Sequence, residues 1–302
     1  MASAKTRGYV LGAAAAACYG LNPLFTLPLY RAGMTTDSVL FYRYVLAVAM
    51  LGALMLFRRE SFALRRGDLL PLAAMGLLFS TSSLLLFESY RHMDAGVAST
   101  ILFLYPVLVA VIMAVGFHER TSRTTVLSIL VAFTGVALLC QSGDGQSLSL
   151  WGVVLVFFSS LCYAIYIVGV NRSSLRDLST AKLTFYALLF GLVLYVVRLR
   201  FCTDLQVVPA PGLWIDALSL ALFPTIVSLV AMAAAIRLIG STPTAILGAL
   251  EPVTALFFGV AVFGERLTPR IVLGVMLILT AVTLIIAGKS LHRPHFRFHR
   301  AR

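Results

Sequence analysis

Charge is what this sequence has least of. Asp, Glu, Lys and Arg together make up 12% of its 302 residues, where a soluble domain carries about 25%. A surface so poor in charge cannot be wetted over most of the chain, which excludes an ordinary water-soluble fold. Acids are scarcer than bases, 12 against 24. The resulting excess of positive charge does not point to nucleic acid, because the basic residues sit in short segments beside apolar runs and form no basic groove interleaved with aromatics. Cysteine is sparse too, and Cys18, Cys140, Cys162 and Cys202 have neither metal-ligand nor redox spacing. Cys18 and Cys162 lie inside apolar runs as packing residues; a disulfide between Cys140 and Cys202 is left open. No zinc-protease motif is completed, since His118-Glu119 lacks a second histidine, and no paired intramembrane acids suggest an aspartyl mechanism. His292, His295 and His299 alternate with arginines that repel a cation, so the tail reads as a basic segment near anionic lipid. No metal site and no cofactor is expected, and the chain does not read as an enzyme.

What is present is apolar length. Alanine, aliphatic, aromatic, methionine and cysteine residues make up 60% of the chain. A helix needs about 20 mostly apolar residues to cross the hydrocarbon layer. Ten segments meet that need: 8–29, 38–57, 69–90, 95–116, 124–140, 150–170, 181–197, 213–238, 242–263 and 269–288. The apolar alternation of a membrane β-barrel is absent, so the reading is an all-α membrane protein with ten transmembrane helices. Lys5 and Arg7 before an alanine run resemble a signal segment, but Cys18-Tyr19 is echoed at Cys162-Tyr163, as expected of a stretch belonging to the mature fold. With the N-terminus inside and the crossings alternating, 17 of the 24 Lys and Arg fall on the inner side, which predicts cytoplasmic termini. A bacterial-type inner (plasma) membrane is the expected location.

Sliding the chain by 146 residues lays Arg91 to Cys140 over Arg237 to Ile286 and matches Arg91/Arg237, Pro106/Pro252, Phe117/Phe263, Glu119/Glu265 and Arg120/Arg266. Five helices per half is odd, so the second copy must cross the membrane upside down. The expected architecture is two inverted five-helix repeats, 8–141 and 149–288, followed by a basic cytoplasmic tail, 289–302. Such repeats are a recurring plan of secondary transporters, which hold substrate near the midplane between the halves. Thr268-Pro269 reads as a helix cap followed by proline in the first turn.

Leu250-Glu251-Pro252-Val253, Gly264-Glu265-Arg266-Leu267, Leu104-Tyr105-Pro106-Val107, His118-Glu119-Arg120 and Tyr19-Gly20-Leu21-Asn22-Pro23 stand in the order and spacing of the EamA family of the drug/metabolite transporter superfamily. The chain resembles that family from about Gly8 to Gly288, with tyrosine where the first helix usually carries tryptophan. Within it the chain is similar to YddG-type exporters of aromatic and other amino acids. The resemblance implies outward movement of small metabolites by alternating access around a central cavity lined by helices 1, 3, 4, 6, 8 and 9. A broad-specificity drug or other metabolite exporter is the alternative; a channel, without a filter sequence, fits less well. The implied partners are a small-molecule substrate and membrane lipids. Neither the oligomeric state nor the driving force is set by the sequence.

Ionisable groups within a bilayer are functional candidates by default. Glu251, just before Pro252, reads either as a carboxyl that binds an ammonium or carries a proton, or as a neutral brace for the kink. Pro106 is expected to kink its helix in the matching place. Arg43 and Glu88 both fall in the outer leaflet, either as an ion pair or as two groups that snorkel separately. Tyr19, Asn22, Ser80, Ser83, Tyr105, Tyr163 and Tyr166 are the remaining substrate-binding candidates. For the serines, helix packing is the competing reading. Tyr105 stands out because it aligns with Glu251 across the repeat and precedes its own proline.

Overall fold

The computed structural model describes residues 4–118, 123–140 and 149–291. Glu119, Arg120, the loop around Asp144 and the tail from 292 onward lie outside them, as does the Cys140 side chain; Cys202 is a free, exposed thiol, which answers the disulfide question left open at that residue. Among the described residues every regular element is helical. The first half comprises α1 (Ala4–Gly20), α2 (Asn22–Arg31), α3 (Thr36–Phe57), α4 (Arg66–Ser89), α5 (Ala95–Leu102), α6 (Tyr105–Gly116) and α7 (Arg123–Cys140). The second comprises α8 (Leu150–Arg172), α9 (Thr180–Arg198), α10 (Leu213–Ala221), α11 (Ser228–Ile239), α12 (Ser241–Leu247), α13 (Leu250–Phe263) and α14 (Pro269–Leu291). Nine helical stretches among the described residues are long and apolar enough to cross a bilayer, and Thr125–Leu139 is a shorter apolar helix at the fifth expected crossing.

Four expected crossings are interrupted, each at or just before a proline. Proline has no N–H, so the carbonyl four residues earlier loses its helical donor, and inside a membrane that carbonyl needs another. Each of the four finds one. Tyr19 O, orphaned by Pro23, accepts Asn22 Nδ2 at 2.8 Å. Leu102 O, orphaned by Pro106, accepts Ser160 Oγ at 3.0 Å. Leu220 O, orphaned by Pro224, accepts Thr225 Oγ1 at 3.4 Å across a π-turn over Leu222–Val227. Gly248 O, orphaned by Pro252, accepts the Glu251 N–H at 2.9 Å. The paired breaks α5/α6 and α12/α13 fall at matching positions of the two halves, as the Pro106/Pro252 alignment predicts.

Helix starts follow the expected chemistry. Thr35, Ser149 and Ser179 accept backbone N–H bonds as caps of α3, α8 and α9, and Thr268 Oγ1 accepts from Ile271 N at 3.3 Å ahead of Pro269. Packing pairs α1 with α11, α3 and α4 with α9, α4 with α8, α5 with α13, and α7 with α14. The α7–α14 crossing brings Gly135 and Gly274 together so closely that a methyl group on either would lie 2.9 Å from the other's carbonyl oxygen. Ser82 and Ser159 donate reciprocally to each other's carbonyls, at 2.9 and 2.6 Å, and clasp α4 to α8.

Both ends of the bundle are tied by polar contacts. At one end Arg198 grips Asp37 with two bonds of 2.6 and 3.1 Å. Here too Glu265 accepts the N–H groups of Ala95 and Gly96 at 2.7 and 3.1 Å, capping α5 from the other half. At the opposite end Ser174 donates to Asp68 at 2.5 Å and Lys182 Nζ to Ala63 O at 3.2 Å.

Candidate functional site

The breaks bring polar groups to the middle of an apolar bundle. Gly20, at the end of α1, lies against α13, where a methyl group would stand 2.4 Å from the Glu251 carbonyl oxygen. Only glycine permits this approach, which sets Tyr19 beside the first turn of α13. Glu251 is within electrostatic range of Tyr19, Tyr105 and Tyr163. Tyr105 and Tyr163 meet edge to face with centroids 4.8 Å apart, and Tyr163 stacks on Tyr166 at 5.9 Å. Phe79 joins both Tyr163 and Tyr166, at 6.1 and 5.3 Å. The result is an aromatic wall from α4, α6 and α8 facing a carboxyl on α13.

The chemical character of this group lies in what its polar tips do not touch. Among the described residues, the Glu251 carboxyl and the hydroxyls of Tyr19, Tyr105, Tyr163 and Tyr166 make no hydrogen bond or ion pair with the protein, and none is sealed from solvent. Buried polar groups are normally satisfied by protein or water. Tips that retain free surface without a protein partner are positioned to take a ligand or water. Two other side-chain atoms, Asn22 Oδ1 and Thr26 Oγ1, are sealed and unpartnered. They lie one turn apart on α2.

Not every candidate residue belongs to this group. Ser80 is fully buried and donates to Leu77 O of its own helix at 3.0 Å. Ser83 accepts the Tyr44 hydroxyl at 2.9 Å. Both hydroxyls are engaged by the protein, and Asn22 divides between its bond to Tyr19 O and its orphaned oxygen.

The expected Arg43–Glu88 ion pair is not formed. Glu88 receives Thr36 Oγ1 at 2.5 Å and lies 3.9 Å from Arg91 and 3.7 Å from His92. It therefore meets the first turn of α3, while Arg43 lies seven residues farther along, about 10 Å down the axis. Arg43 instead donates from Nε to Thr225 Oγ1 at 3.2 Å and stands 5.1 Å over the Phe87 ring. The residue is 3% exposed, and among the described residues no carboxylate pairs with it. Tyr19 and Tyr90 each feel both Arg43 and Glu251, so the buried cation and the buried carboxyl flank common neighbours.

Outside the membrane-spanning segments, burial pushes the Glu265 carboxyl up to about 7; Asp94 adds to the rise, and the Ala95 and Gly96 N–H groups oppose it. Burial also raises the Asp94 carboxyl. Sequence reasoning missed Phe79, Thr26 and the Thr225 π-turn. Proline followed by threonine within the apolar run 213–238 was the available signal for the last of these.

Residues 6–141 and 150–287 each match the EamA-like transporter family. The chain is 24% identical to the uncharacterized transporter YcbK of Bacillus subtilis over 261 residues, which is 83% of each chain. It is 25% identical to the uncharacterized inner membrane transporter YedA of Escherichia coli K12, over 82% of this chain and 81% of that one. One solved crystal structure, 15% identical, superposes with a TM-score of 0.67 over 95% of this chain and 99% of its own, a likeness of fold alone. Two family matches that together span most of the chain, joined to a helical bundle with membrane-crossing lengths, make this a multi-pass membrane protein of transporter rather than enzyme type: the chain belongs to the EamA-like transporter family.

Proposed function

We propose that the protein exports small metabolites, with amino acids including aromatic ones as its principal cargo, by alternating access around the Glu251–tyrosine group between two inverted five-helix repeats. The observation that carries this reading is the Glu251 carboxyl within electrostatic range of Tyr19, Tyr105 and Tyr163, with neither the carboxyl nor these hydroxyls partnered by protein among the described residues. A carboxyl suits an ammonium group, tyrosine faces suit an apolar or aromatic side chain, and Arg43 supplies a cation for a carboxylate. A broad drug or metabolite exporter is the second reading, favoured by the same aromatic wall, which accepts flat organic cations equally well.

Flux from proteoliposomes separates the two. Phenylalanine, leucine, a nucleoside and a cationic dye are loaded in turn, and saturable release of the amino acids above empty liposomes is expected. Release of the dye alone would replace the amino-acid reading with the second one. For orientation, the proposal puts both termini in the cytoplasm and the protein in the inner membrane. Cys202, the exposed free cysteine at the Asp37–Arg198 end, then labels with an impermeant maleimide in spheroplasts. A cysteine at Ser61 in a Cys202→Ser background does not. The reverse pattern would invert the topology.

A further inference from the structure

Away from the Glu251 group, at the end of the bundle that gathers the C-termini of α3 and α11, a cavity of about 430 Å³ opens between α1, α3, α9 and α11. Its inner wall includes Leu51, Val230 and Ala234, and its rim carries Arg7, Arg58 and Arg237. Leu51 is buried, whereas all three arginines are exposed. Among the described residues, none of the three side chains has a hydrogen bond or an ion pair. The one acid in the lining, Glu60, is engaged by Ser179 Oγ at 3.0 Å. Three arginines against one glutamate leave the rim with a net charge of +2. The lining shares no residue with the Glu251 group.

An apolar slot between helices with unclaimed cations at its mouth matches one class of molecule in its surroundings. A phospholipid offers a phosphate at the level of helix ends and acyl chains at the level of Leu51. We propose that this cavity binds an anionic phospholipid, with the phosphate held by Arg7, Arg58 and Arg237 and an acyl chain lying against Leu51, Val230 and Ala234. Basic pockets between helix ends are a recurring form of lipid-headgroup recognition. The lipid bridges the α1–α11 pair to the α3–α9 pair. Its binding does not depend on which cargo the transporter carries.

The test is native mass spectrometry of the purified full chain titrated with phosphatidylglycerol or with phosphatidylcholine of the same acyl composition. Phosphatidylglycerol is expected to bind more tightly, and R7Q/R58Q/R237Q to weaken it by about a hundredfold. R58Q and R237Q singly, each expected to weaken binding about fivefold, keep the test open should the triple variant fold poorly. Ala234→Phe fills the slot without changing charge and weakens binding as well. R65Q/R66Q removes two exposed arginines outside the lining and leaves binding intact. Equal loss in R65Q/R66Q would reduce the effect to general surface charge and overturn the site. So would equal binding of phosphatidylcholine, displacement by inorganic phosphate, or displacement by a transported amino acid, the last making the cavity part of the cargo path.

Discussion

The helices α5 and α12 occupy matching places, 146 residues apart, yet the molecule holds them differently. All eight residues of α5 are buried, and its first N–H groups are capped by Glu265 from the other half. In α12, Ala245 is exposed and Ile246 and Leu247 are half-buried. Ala245 corresponds to Ser99, which is buried against the Tyr90 hydroxyl at 3.4 Å. Helices in matching places are thus packed tight at one end of the bundle and looser at the other. Two halves that can exchange these roles are what alternating access requires, so the asymmetry is the feature to challenge experimentally.

The largest effect is expected where the loose helix meets its break. Among the described residues the Glu251 carboxyl has no protein partner to brace, so Glu251→Leu should retain its melting temperature and lose amino-acid flux by at least about tenfold, the loss of one charged hydrogen bond. Glu251→Gln should retain the fold and part of the flux. A large fall in Tm for Leu, with flux per folded molecule unchanged, would return Glu251 to a structural role. Arg43→Gln comes next. Release of a carboxylate-bearing amino acid should fall by about tenfold, and that of the corresponding decarboxylated amine far less. Equal loss of both would mark Arg43 as structural.

Smaller effects are expected at the tight end. Glu265→Ala uncaps α5, worth about 1 kcal/mol, and amide exchange over Ala95–Leu102 should rise toward that of α12. Because the Glu265 carboxyl lies near 7 rather than at its ordinary 4.5, the capped arrangement binds a proton more tightly than one in which Glu265 is solvated. That preference is complete below about 4.5 and is lost as pH rises through about 7. Spin labels at His92 and Leu267 should report widening across this window in the wild type and none in Glu265→Gln. The smallest effect belongs to Asp37→Asn. The Asp37–Arg198 pair is partly exposed, with Arg198 at 47%, so a stability loss below about 1 kcal/mol is expected in a denaturation series.

How much of the site could be read beforehand differs by residue. Tyr105, Tyr163, Tyr166 and Glu251 were identifiable as uncommon polar groups in apolar runs, and the structure gathers them. Ser80 and Ser83 looked equivalent to them in sequence but turn toward protein partners. Phe79 carried no signal at all, being one phenylalanine among 20. The Asp37–Arg198 contact joins residues 161 positions apart, and the Arg43–Thr225 bond 182 apart; local pattern has no access to either.

The sequence by itself determined that the chain is a bundle of membrane-crossing helices, that two of them break at Pro106 and Pro252, and that one half echoes the other. These follow from apolar length, from the missing N–H of proline and from residue identity, all of which act locally. Tertiary structure alone decided which face of each helix turns inward, and so which serine is engaged, which tyrosine is free and where Arg43 finds its donor's partner. A helix that is apolar all round has no preferred face for water to select. Its rotation is set by the neighbours it packs against, as at Gly20 against Glu251 and Gly135 against Gly274.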